Sequence, residues 1–401
     1  LVLQSGNIGI NLSMQQRGLD LGYVISIGNK LSLGFEDYID FLLEDPRVSA
    51  IGLHIEGIEN IHEFSIAAIK ALKAGVPIVA IKTGGSSRGA KINMSHTASL
   101  AGPDKLYTAL FKRLGITRCN SLSEFLETLK FLSIVGVLPE PTLGSLSCSG
   151  GDASMVADYA ESLQIEIPLL SDKSAEDLRR VLGSKVQLNN PLDYHNYAWG
   201  NYEKINACFI AMLGNKFGCT ILVLDYPISE DGQAENWEIT ERALIDAVAE
   251  TRQRAVIVST LVETMPASAR RRLLAAGVAP MQGLQECLFA IRAAAMIGLA
   301  QANVEKMLAV QKPNAICGSV TSLNEWQSKT ALAEFGLAIP QGEVCSASET
   351  VALAEALEFP VVVKAVSEKI SHKSQIGAVA VNLHDKESVQ RACQSMSDKC
   401  D

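Results

Sequence analysis

Short β-branched runs alternate along the chain with amphipathic helical patterns. The strand-like runs are "YVISIG" from 23, "VSAIGLHI" from 48, "VPIVAIKTG" from 76, "TLGSLSCSGG" from 142, "CTILVLDYP" from 219 and "RAVIVST" from 254. Alternation of this kind predicts parallel sheets joined by crossover helices. Between the runs lie helical patterns such as "IHEFSIAAIKALKAG", which ends in Gly75 as a C-terminal cap, and "SMVADYAESLQ". Pro139 and Pro141 interrupt the pattern after "LSEFLETLKFLSIVG", which places a domain boundary there. A second series runs from 142 to about 310 and closes on "CLFAIRAAAMIGLAQANVEKMLAV", which reads as one long helix. After "QKPNAICGSV" the pattern changes to two helices, "LNEWQSKTALAEFG" and "SASETVALAEALE", and two strands, "PVVVKAVS" and "AVAVNL". The expected domains are therefore 1–138, 139–312 and 313–401.

Composition narrows the class. With 401 residues, 48% of them hydrophobic, the chain can fill two or three cores. Its 35 basic residues against 44 acidic ones offer no general attraction to nucleic acid or an anionic membrane. Nine cysteines without a CxxC pair suggest reduced thiols and predict a cytoplasmic protein. No apolar run reaches the ~18 residues of a membrane span, and the start has no basic stretch ahead of its apolar residues. The chain opens without Met on a strand pattern and stops soon after a new one begins, so it reads as a piece of a longer polypeptide.

Two glycine turns could bind phosphate: Ser5-Gly6-Asn7 after "LVLQ", and Ser149-Gly150-Gly151 after "GSLSC". Backbone N–H groups at a helix start are unpaired and, with the helix dipole, attract anions. Such turns are also an ordinary way to leave a strand. His96 lies in "NMSHTASLAG", among hydroxyls without bulk, where a phosphate has room on the ring; a lone loop histidine can equally be a structural hydrogen-bonder. A nucleophilic imidazole needs its other nitrogen oriented, and Glu56, directly after "SAIGLHI", is a candidate for that carboxylate. The ends of parallel strands are where such sites are built, but a solvated glutamate looks the same, and spacing alone does not choose. Lys364, late in an apolar strand, would need an anionic partner if buried; His372 and Lys373 follow it and suit either a phosphate-facing role or an exposed loop.

Six blocks, in order, resemble the nucleoside-diphosphate-forming acyl-CoA synthetases, relatives of succinyl-CoA synthetase and ADP-forming acetate–CoA ligase. They are "QSGNIG", the stretch from "SIGNKLSLGFEDYIDFLLEDP" to "RVSAIGLHIEGI", "VPIVAIKTGGSSRGAKINMSHTASLAG", "SCSGGDASMVADYAES", "NNPLDY" and "FPVVVKAVSEKISHKSQIGAVAVNL". The resemblance implies an α/β protein: two flavodoxin-like ligase domains, then the start of an ATP-grasp domain, without the CoA-binding domain that precedes them in the family. It implies that His96 is phosphorylated, that Glu56 orients it, and that Ser5, Gly6, Asn7, Ser149, Gly150 and Gly151 hold the phosphate. Lys364 and His372 match nucleotide-side residues. Implied cofactors are ATP, CoA and Mg2+, the magnesium ligands lying outside this sequence. The implied partners are a small carboxylic acid and a second copy in a homodimer. Ala98 and Ala378 stand where the family usually has glycine.

The substrate acid has one local hint. Tyr194, Tyr197 and Trp199 fall within six residues, and Trp237 lies near Glu230, Asp231, Glu235 and Glu238. Aromatic faces beside carboxylates suit a quaternary ammonium or sulfonium group, at ~0.5–2 kcal/mol per contact. Because the superfamily includes an ATP-dependent dimethylsulfoniopropionate lyase, one expectation is ligation of that acid followed by elimination, with Glu235 or Glu238 as base. The alternatives are that the aromatics fill an interdomain contact, that the enzyme is a short-chain acetate or propionate ligase, or that the chain is a non-catalytic CoA- or nucleotide-binding module.

Overall fold

The computed structural model describes residues 1–28, 32–86, 88–89, 104–195, 198–227, 234–311, 323–367, 373 and 376–400. They divide into two compact units, Leu1–Lys312 and Pro313–Asp401.

The first unit contains two five-stranded parallel sheets. One is built from β1 (Val2–Leu3), β2 (Ile25–Ser26), β3 (Ile51–Ile55), β4 (Ile78–Lys82) and β5 (Thr117–Cys119), in the order β2-β1-β3-β4-β5. The other is built from β6 (Leu143–Ser147), β7 (Leu192–Asp193), β8 (Cys219–Val223), β9 (Ala255–Ser259) and β10 (Ala279–Gln282), in the order β10-β9-β8-β6-β7. Counted from its own first strand, each sheet follows the flavodoxin-like order 2-1-3-4-5. That order puts a topological switch point between the first and third strands, β1 and β3 in one sheet, β6 and β8 in the other. The central strands β3, β4, β6, β8 and β9 are buried along their whole length, the reason they read as continuous apolar runs and not as period-two alternation.

Helices cover both faces. Helix Ile61–Lys73 ends where expected, with Gly75 at φ 78° just past its last turn. The long helix expected to reach 310 instead spans Leu284–Ala302; Asn303 caps it and a single 3-10 turn, Val304–Lys306, follows. Asn303 turns its amide back to the carbonyl of Leu299, and a residue of this kind competes with the next helical bond. This helix packs on Leu122–Ile134 between the two sheets, and one continuous apolar core runs through that contact. The chain joining the sheets passes over Gly298, where a Cβ would collide with the Leu138 carbonyl, and Leu138 donates its N–H to the Ala294 carbonyl at 3.1 Å. Only glycine lets helix and connector approach so closely.

A buried ion cluster crosses the same boundary. Glu127 and Lys130, both fully buried, pair at 2.8 Å; Glu127 also receives Arg17 at 3.1 Å and the N–H of Gln282, at the end of β10, at 3.0 Å. The second unit is small. It pairs β11 (Val361–Lys364) antiparallel with β12 (Val379–Leu383) under helices Thr350–Ala356 and Lys386–Cys400. Among the described residues no helix is long and apolar enough to cross a membrane.

Candidate active site at the switch points of two parallel sheets

At the first switch point β1 runs straight into helix Gly6–Ser13. Ser5 caps that helix, its hydroxyl accepting the N–H of Ile8 at 3.4 Å. The N–H groups of Gly6 and Asn7 belong to the first turn and have no helical acceptor. Beside them, Gln4 is nearly buried, and its side-chain oxygen accepts the N–H groups of both Glu56 and Gly57, the latter at 3.0 Å. This one amide binds the loop after β3 to the turn after β1. Glu56, half-buried, is thereby held at the mouth of the switch point, beside the first turn of the helix.

Below Glu56 the strands carry further polar groups. His54, two residues earlier and so on the same face, is 1% exposed. Its Nε2 lies 3.3 Å from the Thr83 hydroxyl, and its Nδ1 has no hydrogen-bond partner among the described residues. Burial, reinforced by the Lys82 charge, pushes its pKa down to about 4. Lys82 ends β4, nearly buried; its ammonium donates to the Thr83 carbonyl and sits 4.7 Å from the centroid of the Tyr107 ring. Burial pulls the lysine below its ordinary value, while Asp104 and Glu56 work against that. Asp104 takes a two-pronged bond from Arg118 at 2.8 and 3.0 Å, which holds its carboxyl down. Asp104 also lies against Gly85, so the chain on either side of the segment 90–103 meets at this edge of the sheet. His96 and Ala98 belong to that segment and lie outside the described residues.

The second switch point has the same plan and different chemistry. Ser149 caps helix Gly150–Ser162 and takes the N–H groups of Gly151 at 3.2 Å and Asp152 at 3.5 Å. Three carboxylates gather there. The Asp152 carboxyl is raised by its own burial and by Asp225 and Asp193. Asp225, just past β8, accepts the Thr260 N–H and hydroxyl at 2.9 Å each and the Thr264 hydroxyl as well. Asp193, at the end of β7, accepts the His195 N–H at 2.9 Å. Sequence reading selected the glycines of this turn and passed over the acids. Among the described residues no group of three or more His, Cys, Asp or Glu side chains could hold a metal ion.

The expected aromatic cluster divides. Trp199 and Trp237 meet edge to face, with centroids 5.2 Å apart. Tyr194 does not join them; it is 0% exposed in the core against Phe209, so neither face is left for a ligand. Tyr197, Glu230 and Asp231 lie outside the described residues. Glu238 is exposed and lies 3.4 Å from Arg272, which pairs more closely with Glu241 at 2.6 Å, and Glu235 is exposed in the first turn of helix Glu235–Thr251. In the second unit Lys364 is exposed, not buried, and is paired with Glu325 at 2.7 Å. His372 lies outside the described residues.

Residues 1–132 match the model of the succinyl-CoA ligase like flavodoxin domain, and residues 314–401 match that of the ATP-grasp domain. These two domain types, in this order, support the NDP-forming acyl-CoA synthetase family. It is 26% identical over 403 residues to a trans-feruloyl-CoA synthase from an unknown prokaryotic organism, an alignment covering 97% of this chain and 55% of the relative. The alpha subunit of acetate–CoA ligase [ADP-forming] I from Pyrococcus furiosus is 37% identical over 168 residues, covering 40% of this chain and 35% of that one. Among solved structures, the dinucleotide forming acetyl-coenzyme A synthetase 1 of Ca. Korarchaeum cryptofilum, in complex with phosphate and ADP, superposes with a TM-score of 0.66. At 23% identity, covering 77% of this chain and 66% of that one, it supports the fold. The chain spans about half the length of the relatives that align along nearly all of it, 55% of the feruloyl-CoA synthase and 58% of the 4-hydroxybutyrate–CoA ligase of Nitrosopumilus maritimus.

Proposed function

We propose that this chain carries the phosphohistidine station of an ADP-forming acid–CoA ligase, with domains at 1–138, 139–312 and 313–401. The observation that supports the reading most is the first switch point: Gln4 ties Glu56 to the start of helix Gly6–Ser13, where the Gly6 and Asn7 N–H groups have no helical acceptor, and the segment bearing His96 leaves and re-enters at the same sheet edge. In this reading a ring nitrogen of neutral His96 attacks the γ-phosphoryl group of ATP and ADP leaves. Glu56 accepts the other ring N–H and fixes the tautomer; the N–H groups of Gly6 and Asn7 stabilise the phosphoryl oxygens. A substrate carboxylate then takes the phosphoryl group, freeing the imidazole. The CoA sulfur attacks the resulting acyl phosphate, and inorganic phosphate departs from the acyl carbon. Lys364 and His372 serve the nucleotide. Magnesium would screen the nucleotide phosphates when bound, but its carboxylates are not supplied by the described residues.

The test is direct. The full-length protein is incubated with magnesium and ATP, and acid-labile phosphate on His96 is sought by mass spectrometry at neutral to alkaline pH, with His96→Ala beside it. Phosphate that CoA plus an acid discharges supports the ligase; no phosphate on a folded, ATP-binding protein sinks it and favours the non-catalytic module.

For the acid, the acetate ligases among the relatives favour a short-chain substrate. The reading with dimethylsulfoniopropionate and elimination of dimethyl sulfide is supported by the Trp199–Trp237 pair, with Tyr197 beside it in sequence and Glu235 or Glu238 as the base, while Tyr194, in the core, adds nothing to it. Dimethyl sulfide release that survives Glu235→Gln unchanged removes Glu235 as the base.

A further inference from the structure

Glu325 opens helix Glu325–Glu334, whose first turn is closed by a reciprocal cap between Asn324 and Gln327. From there its carboxylate meets three ammonium groups: Lys329 one turn along at 2.9 Å, Lys364 at the end of β11 at 2.7 Å, and Lys373, just before β12, at 3.1 Å. Two of the three come from other segments, so this is more than an ordinary surface pair within one helix. Lys373 is the most enclosed, with 13% of its side chain exposed, and Lys364 is 37% exposed. The carboxyl is held down at about 2, by Lys364 first and then Lys329, and stays ionised at any working pH.

Three lysines against one glutamate leave a net charge of two positives in one place. Lysine stems are flexible, and like charges at this spacing would splay into solvent without a common anion. Each ammonium has three donors, and among the described residues Glu325 is the acidic partner of all three, so each lysine has the capacity to donate to a further acceptor. Glu325, Lys329 and Lys364 border a cavity of about 720 Å³ within this unit, which Trp326, Glu343 and Glu358 also line.

We propose that Glu325 is a positioning residue for a polyphosphate: it holds Lys329, Lys364 and Lys373 converged, with free donors available to an anion of several phosphoryl oxygens, and does not touch that anion itself. The proposal rests on the nucleotide reading above and adds a residue with no part in it so far. Because an ammonium can donate to more than one acceptor, the anion joins the cluster without displacing the carboxylate, and removing the carboxylate weakens binding although it adds net positive charge.

The experiment titrates the whole chain with inorganic triphosphate, and separately with ATP, by calorimetry, comparing wild type, Glu325→Gln and Glu325→Asp, with thermal unfolding as the control on the fold. E325Q is expected to weaken triphosphate binding by at least about tenfold with its unfolding unchanged, and E325D to return it to within about threefold of wild type. Equal or tighter binding by folded E325Q overturns the proposal and leaves the nucleotide reading standing. A wild-type chain that binds neither probe overturns both. Where E325Q also lowers the melting temperature, E325Q is repeated in a Lys364→Met background: a smaller loss there supports action through the lysines, and a fully additive loss overturns it.

Discussion

The two parallel sheets share one strand order and place a serine-capped, glycine-started helix at the same switch point, yet the two edges are electrically unlike. The first carries Glu56 at the mouth, with Asp104 neutralised by Arg118, over a buried neutral imidazole and a buried lysine. The second carries Asp152, Asp193 and Asp225, close enough that they raise the carboxyl of Asp152. A shared backbone plan therefore supplies anion-seeking N–H groups twice, and side chains decide how freely each accepts an anion. At the first edge the acid is tied back by its backbone to Gln4. At the second, Ser149 already occupies two of the N–H groups, and the acids repel what the dipole attracts.

The largest expected effect breaks the link between the edges. Lys130→Met alone leaves buried Glu127 without its closest partner and should cost about 3–5 kcal/mol in denaturant unfolding, whereas the paired change Glu127→Met with Lys130→Met should cost far less. A double variant as unstable as the single one would show that the pair, and not the packing around it, holds the sheets together. Next comes Asp225→Asn, at the position topologically equivalent to Glu56. Its carboxylate accepts bonds from Thr260 and Thr264, so a loss of about 2–4 kcal/mol is expected in the same assay. Glu56→Gln should instead leave stability within about 0.5 kcal/mol and slow phosphorylation of His96 by about 10–100-fold. If both substitutions act on stability alone, the functional difference between the edges is lost.

Acid gives a sharper contrast. His54 has a folded-state pKa of about 4 against an ordinary 6.5, so the unfolded chain takes up the proton first. Its contribution is complete above about pH 6.5 and is lost as pH falls toward 4, on the order of 2–3 kcal/mol in all. Replacing His54 by Gln should flatten that part of the stability curve; an unchanged slope means that another group titrates there. Asp152 has the opposite sign, since a raised carboxyl favours the folded state at low pH and costs stability as it ionises. The smallest effect expected is on ligand binding: Asp152→Asn should tighten inorganic phosphate at the second turn by about two- to fivefold, read by titration.

Much of this was legible along the chain because it is local. The alternation of buried strands with amphipathic helices gives the α/β class, and a serine before a glycine turn gives each helix start. Glu56 could be selected because it follows a strand, as could Lys364 because a lysine stands out late in an apolar strand. His54 was within reach of the same logic, two positions before Glu56 on one face. Gln4, adjacent to the selected Ser5, had no visible reason to matter until its side chain met residues 52 and 53 positions away.

What the sequence by itself determined is the set of elements, their order and the groups stationed at their ends, since periodicity, caps and turn glycines act over a few residues. Only the tertiary structure decided which of those groups meet. Gln4 reaches Glu56 because β1 and β3 are neighbours; Glu127 reaches Gln282 because two helices pack between the sheets; Tyr194 turns into the core while Trp199 finds Trp237. Glu325 gathers lysines from three segments for the same reason. Charges separated along the chain interact only through strand order and packing, and those are settled by burial of the whole core, not by any local pattern.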